Sequence, residues 1–223
     1  MAHNLDISRH MELFDPEKFV HPVTIIGAGA TGSWLALALA KLGITDITVY
    51  DFDVVEEHNI PNQSFGVNDV GALKVDALAL EITAKTGTTI NTMPFQFTNQ
   101  RIAGVVFMMV DTMSARKEIW EASIKYKSAV ELLIEPRMGL DCARVYNIDP
   151  NDSLHIKKYE ETFCSDDVAE VSACGVSQTV ISSALGTVAW CIRQLINFNA
   201  KEELDNEILI DFKYNNVVAT RWE

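Results

Sequence analysis

Hydrophobic positions along the chain follow two rhythms. Short aliphatic and β-branched runs alternate with longer stretches in which apolar residues return every three to four positions. The short runs are residues 21–26 (HPVTII), 46–50 (DITVY), 89–94 (TINTMP), 104–110 (GVVFMMV) and 129–135 (AVELLIE). They read as strands. Residues 32–42, 70–86 and 113–126 carry the helical rhythm, and Gly43 stops the first of these helices. Strands separated by helices of this length predict βαβ units. The fold class expected is α/β, a Rossmann-like, mostly parallel sheet covered by helices on both faces.

The second half changes character. Residues 144–148 (RVYNI) alternate like a half-exposed strand, and residues 151–175 read as polar and irregular. Residues 176–197 predict a long helix that is apolar nearly all round. Such a helix is either buried in the core or packed on another subunit. Residues 208–212 and 217–222 form a closing hairpin around Tyr214-Asn215-Asn216. Antiparallel strands therefore extend the sheet in the C-terminal half. With no internal repeat, low-complexity stretch or linker, residues 1–223 read as a single domain.

Charge narrows the function. Acidic residues outnumber basic ones 31 to 18, for a net charge of −13. That balance excludes coating of nucleic acid or of an anionic membrane surface, which needs clustered Lys and Arg. It leaves room for a small anion in a local pocket. Residues 1–10 carry no apolar leader and no run is long enough to span a membrane, so a cytoplasmic protein is expected. The four cysteines, Cys142, Cys164, Cys174 and Cys191, contain no Cys-x-x-Cys pair, and the five histidines are scattered, so no zinc is expected.

Gly27-Ala28-Gly29-Ala30-Thr31-Gly32 is a Gly-x-Gly-x-x-Gly between a strand and a helix. The first glycine permits the tight turn, the second lets the backbone approach a phosphate, and the third lets the helix pack near the strand. Asp51 closes the next strand 19 residues after Gly32, where an acid accepts from ribose hydroxyls. This predicts a nucleotide site at about residues 20–135, with residues 136–223 as a substrate or dimer half. A dinucleotide is the ordinary ligand of the motif. Three features turn the expectation toward ATP: a second acid at Asp53, a long loop with Asn59, Asn62 and Gln63 leading to Lys74, and Asp111 after the fourth strand, with Arg116 five residues on. A lysine near the crevice suits a triphosphate, and a carboxylate at a strand end suits magnesium. Taken singly, Lys74 is equally a solvated helix charge, and Asp111 equally an N-cap.

The glycine loop, DFDVVEEHNIPNQ (51–63), DVGALK (69–74), VDTMSAR (110–116) and Ser8-Arg9 together resemble the ThiF/MoeB/HesA superfamily. These are adenylating enzymes that activate ubiquitin-like and sulfur-carrier proteins. The resemblance covers residues 6–135 clearly and 174–197 more loosely. It implies that Gly27, Gly29, Ala30, Thr31 and Gly32 hold ATP, that Asp51 holds the ribose, and that Asp53, Asn59, Asn62 and Gln63 line the nucleotide. It implies Lys74 on phosphate, Asp111 on Mg2+, and Arg9 reaching into the site of a partner in a homodimer.

The family loop ends Asn-x-x-Arg-Gln, whereas here it reads Asn59-Ile60-Pro61-Asn62-Gln63, so a phosphate arginine is missing. The expected reaction is attack of a small protein's C-terminal carboxylate on ATP. A later thioester would fall on Cys164 or on Cys174, at the expected start of the long helix, where a thiolate is favoured. Cys191 and Cys142 read as core. Arg137 is expected either to face the site or to form a sheet-edge ion pair. The alternatives are a catalytically silent nucleotide-binding partner subunit, motivated by Asn62, and an NAD-dependent oxidoreductase.

Overall fold

Neighbouring residues on each central strand enter different cores. Ile25, Val105, Phe107, Leu132 and Ile134 face one side of the sheet; Ile26, Val106, Met108 and Leu133 face the other. This period-two alternation, with both faces apolar, is what a sheet covered on both sides requires. The computed structural model describes residues 5–166 and 179–223.

The strands are β1 (Val23–Ile26), β2 (Ile47–Tyr50), β3 (Asn91–Met93), β4 (Gly104–Met108), β5 (Val130–Met138), β6 (Cys142–Ile148), β7 (Glu207–Asp211) and β8 (Asn216–Thr220). They form one sheet in the order β3-β2-β1-β4-β5-β6-β7-β8. The first five pair in parallel and the last three add antiparallel, so the mixed sheet expected from the sequence is the one found. Strand order reverses beside β1: β2 and β3 lie on one side of it, β4 and β5 on the other. Ligands of such sheets bind outside the carboxyl ends of the strands at this switch point.

Helices α1 (Gly32–Lys41), α2 (Lys74–Thr86) and α5 (Ile181–Asn199) share one core with their side of the sheet. Helix α3 (Met113–Ile119), continued by a wider turn over Trp120–Ile124, shares the second core with α4 (Ser153–Glu161). There Trp120 and Tyr159 meet edge to face at 4.8 Å, a favoured aromatic geometry.

Several boundaries differ from the sequence reading for physical reasons. The second helix begins at Lys74 and not at residue 70, because Gly71 adopts φ +88° and Leu73 bridges to Val54. Residues 151–175 are not irregular throughout. Asp152 accepts from the backbone N–H groups of Leu154 and His155 and starts α4. Helix α5 is not buried all round. Ser183, Ala184, Val188, Cys191 and Leu195 are buried, while Ile181 and Leu185 are exposed. Cys142, read as core, is exposed at the start of β6. Among the described residues no helix is long and apolar enough to cross a membrane.

Candidate functional site: a glycine loop and three carboxylates at the sheet's switch point

The carboxyl ends of β1, β2 and β4 lie level, with Ile26 opposite both Tyr50 and Met108. The residues that follow each strand are therefore neighbours: Gly27, Asp51 and Met109. Gly27 donates its N–H to the Tyr50 carbonyl, and Met109 donates to Ile26.

Each glycine of the loop meets a different constraint. Gly27 adopts φ +100°, and a Cβ there would lie 2.7 Å from the Met109 carbonyl oxygen. A Cβ on Gly32 would lie 1.9 Å from the Gly27 carbonyl oxygen. A Cβ on Gly29 would meet nothing within 4 Å. The outer glycines thus serve close packing of strand, loop and helix, while Gly29 faces open space that a ligand can enter. Ala30 and Thr31, both half-buried, complete the loop. Helix α1 has no side-chain cap at Thr31 and no acid in its first turn; Ser33 N–H is taken by the Gly29 carbonyl, while Gly32 N–H has no partner among the described residues and stays open to an anion. Ser33 Oγ donates to the Gly29 carbonyl (2.8 Å) and accepts from Ser64 N–H (3.1 Å). The loop is thereby fastened to the segment after Gln63.

Asp51 holds this turn from the side. Its Oδ2 accepts from Ala28 N–H at 2.6 Å and its Oδ1 from Asp53 N–H at 2.8 Å. Burial raises its pKa against the opposing pull of these two bonds. Each carboxylate oxygen retains a further acceptor site, which fits a ribose hydroxyl. Lys74, the first residue of α2, is no solvated surface charge. It is 6% exposed, and its Nζ pairs with Asp53 Oδ2 at 2.8 Å. Its backbone N–H also donates to the Asp53 carbonyl. Asp53 is exposed at the rim.

The loop between them is built more than it is offered. Asn59 is buried; its Oδ1 accepts from Glu56 N–H, and its carbonyl accepts from Asn62 and Gln63. Asn62 accepts at its carbonyl from Trp34 Nε1 (2.9 Å) and donates from Nδ2 to Thr179 Oγ1 (3.0 Å). Gln63 Oε1 is buried with no partner among the described residues. Such an orphan acceptor beside the Ser64–Ser33–Gly29 connection fits a ligand donor.

Asp111 lies just past β4, exposed, with no side-chain partner among the described residues. It does not cap α3. Thr112 Oγ1 accepts from Ala115 N–H (3.3 Å), and Asp166 Oδ1 accepts from Met113 N–H (2.6 Å) and Ser114 N–H (3.1 Å). Arg116, which follows it, is buried. It donates to Glu135 and to the Val110 carbonyl, immediately before Asp111.

Arg137 does not face the site. It donates to both oxygens of Glu135, to the Thr162 carbonyl and to Thr162 Oγ1. Its guanidinium lies 4.6 Å from the Tyr146 ring centre. The fully buried Glu135 also accepts from Tyr159 OH at 2.9 Å. Of the two readings offered for Arg137, the ion pair is the one found, on the interior strand β5 and not at a sheet edge; the rest of this network was not foreseen. Its signal is Glu135 at a position that falls within the buried run of β5.

Arg9 is not brought to this site within the chain. It lies exposed in a turn, and its neighbour His10 contacts the Leu42 carbonyl (3.3 Å) at the far end of α1. A ten-residue helix separates that end from the glycine loop, about 15 Å. Cys164 is half-buried after α4, and its carbonyl accepts from Lys117 Nζ at 2.7 Å. Cys174 lies outside the described residues. Cys191 is buried, and burial pushes its thiol pKa up, so it is no nucleophile. Among the described residues no group of three or more His, Cys, Asp or Glu is placed to hold a metal. A single carboxylate completed by substrate phosphates is, however, an ordinary magnesium environment, and Asp111 fits that role.

A glycine loop, a clamped strand-end acid and a buried lysine at the switch point are what a Rossmann-like α/β fold with a nucleotide site is expected to present. The sequence model of the ThiF family matches residues 19–202, and the chain belongs to that family. Several curated proteins share short segments with it, among them the following two. Probable adenylyltransferase/sulfurtransferase MoeZ of Mycobacterium tuberculosis is 43% identical over 63 residues, 28% of this chain and 16% of that protein. tRNA threonylcarbamoyladenosine dehydratase 2 of Saccharomyces cerevisiae is 40% identical over 57 residues, 25% of this chain and 13% of that protein. The chain thus spans a small part of both. Escherichia coli MccB, solved with ATP, superposes with a TM-score of 0.67 at 17% identity, over 93% of this chain and 65% of its own. That likeness is one of fold.

Proposed function

We propose that the chain is an ATP-dependent adenylyltransferase acting on a carboxylate. A carboxylate oxygen of the substrate attacks the α-phosphorus of ATP. The new bond joins that oxygen to phosphorus, the bond to the β-phosphate oxygen breaks, and pyrophosphate leaves with the electron pair. The products are an acyl-adenylate and pyrophosphate. Little covalent chemistry falls to the protein, so positioning and charge neutralisation carry the rate.

The observation that carries this reading is the Asp111 carboxylate, exposed just past β4 and without a side-chain partner among the described residues, on the segment whose Met109 carbonyl borders Gly27 of the open glycine loop. Asp51 accepts from the ribose, and the backbone from Gly27 to Gly32 cradles phosphate. Asn59, Asn62 and Gln63 shape the nucleotide's side wall. Lys74 exchanges part of its bond to Asp53 for phosphate. Asp111 would hold Mg2+, which supplies positive charge to the departing pyrophosphate. The chemistry needs no zinc.

The chain works as one adenylation domain, residues 1–223, in a cytoplasmic homodimer. Its distance from the loop in its own chain suits Arg9 to the partner's site. The substrate is the C-terminal tail of a small ubiquitin-like or sulfur-carrier-type protein. MccB, which shares the fold, has been solved with N-formylated MccA, at a TM-score of 0.73 and 16% identity. Cys164 or Cys174 is the candidate for a later thioester.

ATP–pyrophosphate exchange that appears only with a carboxyl-ended tail tests the reading. Loss of exchange in Asp111→Ala is expected, and undiminished exchange in that variant would refute it. The silent-subunit reading is favoured by one observation, Asn62 in place of a phosphate cation and tied to Thr179. It predicts ATP binding without exchange until a second, intact family member is added. Tight NADH binding without ATP binding would replace both readings with a dehydrogenase.

A further inference from the structure

We infer that Asp166 is a positioning residue that keeps the Asp111 carboxylate free for Mg2+ and phosphate; this rests on the adenylyltransferase reading above. The first turn of α3 exposes N–H groups that need acceptors. Short acidic side chains at or just before the N-cap readily turn back onto such groups; Thr112 is the N-cap of α3 and Asp111 immediately precedes it. In this protein those groups are filled by others. Asp166, 53 residues on from Met113 and outside the helix's own neighbourhood, takes Met113 N–H at 2.6 Å and Ser114 N–H at 3.1 Å with one oxygen. Thr112 Oγ1 takes Ala115 N–H. Asp111 is left with nothing to cap.

The segment that delivers Asp166 is itself fastened at several points. Arg137 donates to the carbonyl and hydroxyl of Thr162, where α4 ends. Lys117 of α3 donates to the Cys164 carbonyl. Arg137 leads back through Glu135 to Arg116, which donates to the Val110 carbonyl, next to Asp111. The chain of contacts leaves the Asp111 turn and returns to it from the other side. Hydrogen bonding to Ser114, backed by Met113 N–H and the nearby Lys117 charge, holds the Asp166 carboxyl below the usual carboxylate range. It stays an ionised acceptor through the neutral region.

Removing the Asp166 acceptor frees the N–H groups of Met113 and Ser114, two and three residues on from Asp111, the spacing at which an aspartate bonds its own backbone. Asp111 then turns to cap α3 and is lost to the metal. Asp166 is exposed, so its replacement leaves the core intact. The test compares wild type, Asp166→Ala, Asp166→Asn and Asp111→Ala. One readout is binding of Mn2+ in the presence of a non-hydrolysable ATP analogue, followed by electron paramagnetic resonance. The second is the Mg2+ concentration that half-saturates pyrophosphate exchange.

Asp166→Ala is expected to weaken Mn2+ binding about tenfold and to raise the Mg2+ requirement likewise, with near-normal exchange at saturating Mg2+. Asp166→Asn keeps an acceptor oxygen and is expected to stay within about twofold of wild type, whereas a purely structural defect would appear as a lower urea midpoint. Wild-type metal affinity in Asp166→Ala, with affinity lost in Asp111→Ala, overturns this inference and leaves the adenylyltransferase reading standing. No loss in Asp111→Ala overturns both.

Discussion

Gly29 and Gly32 are three residues apart, and a methyl group on each should do opposite things. At Gly32 the added carbon would stand 1.9 Å from the Gly27 carbonyl oxygen and 3.4 Å from Met109 Cβ. The helix gains about 1 kcal/mol of propensity from Gly→Ala, but the backbone must move to relieve the clash. Gly32 is the first residue of α1, where that gain is not fully realised, and overpacking against backbone costs about 1–3 kcal/mol or more, so Gly32→Ala should be clearly destabilised.

At Gly29 the methyl meets nothing within 4 Å, and the residue needs no positive φ. Gly→Ala at a compatible position stabilises by about 0.4–1 kcal/mol through the unfolded chain. The same methyl occupies the space through which a phosphate would reach the loop. Losing one backbone hydrogen bond to a charged oxygen costs about 1.5–3 kcal/mol, about ten- to a hundredfold in affinity. Urea unfolding gives the first quantity and isothermal titration with MgATP the second. Gly29→Ala at full stability with unchanged MgATP affinity would refute the placement of the phosphate.

Other consequences are open to direct measurement. Glu135→Gln leaves the Arg116 and Arg137 charges without their buried counter-ion and should lower unfolding free energy by about 3–5 kcal/mol; a change under 1 kcal/mol in urea would deny the network its role. Burial raises the Asp51 pKa, so acidification should protonate the ribose acceptor above the usual carboxylate range. MgATP affinity should fall as pH drops through that point, and Asp51→Asn should flatten the profile. Because the folded state binds this proton more tightly than the unfolded one, Asp51 itself adds stability on the acid side and loses it as pH rises through its folded pKa. Arg9→Ala and Asp111→Ala, each inactive alone, should partly restore exchange when co-expressed; no recovery would place Arg9 outside the partner's site. Brief alkylation at neutral pH should label Cys142 and spare Cys191, with mass spectrometry locating the adducts.

The parts of this site that lie in local sequence were legible before the structure, because their spacing is set by local geometry. A glycine loop must join a strand to a helix, and Asp51 must end the next strand. The alternation of apolar residues likewise foretold the parallel core and its antiparallel extension. What escaped was non-local. Nothing in the spacing of Asp111, Arg116, Glu135, Arg137 and Asp166 tells that four of them brace the turn carrying the fifth. Helix α4 escaped because its face toward the core is narrow: Ile156 and Tyr159 are buried, and most of the rest is charged or polar. Helix α5 read as either core or subunit contact because its exposed face also carries Ile181 and Leu185, and hydrophobicity alone does not say which face is covered.

The central claim is that this site moves adenylate onto a carboxylate. Its most direct measurement is ATP–pyrophosphate exchange by the purified protein with a panel of carboxyl-ended protein tails. Exchange is expected with one tail, none with that tail amidated, and none in Asp111→Ala. Exchange that ignores the tail's carboxylate, or that survives the loss of Asp111, would contradict it.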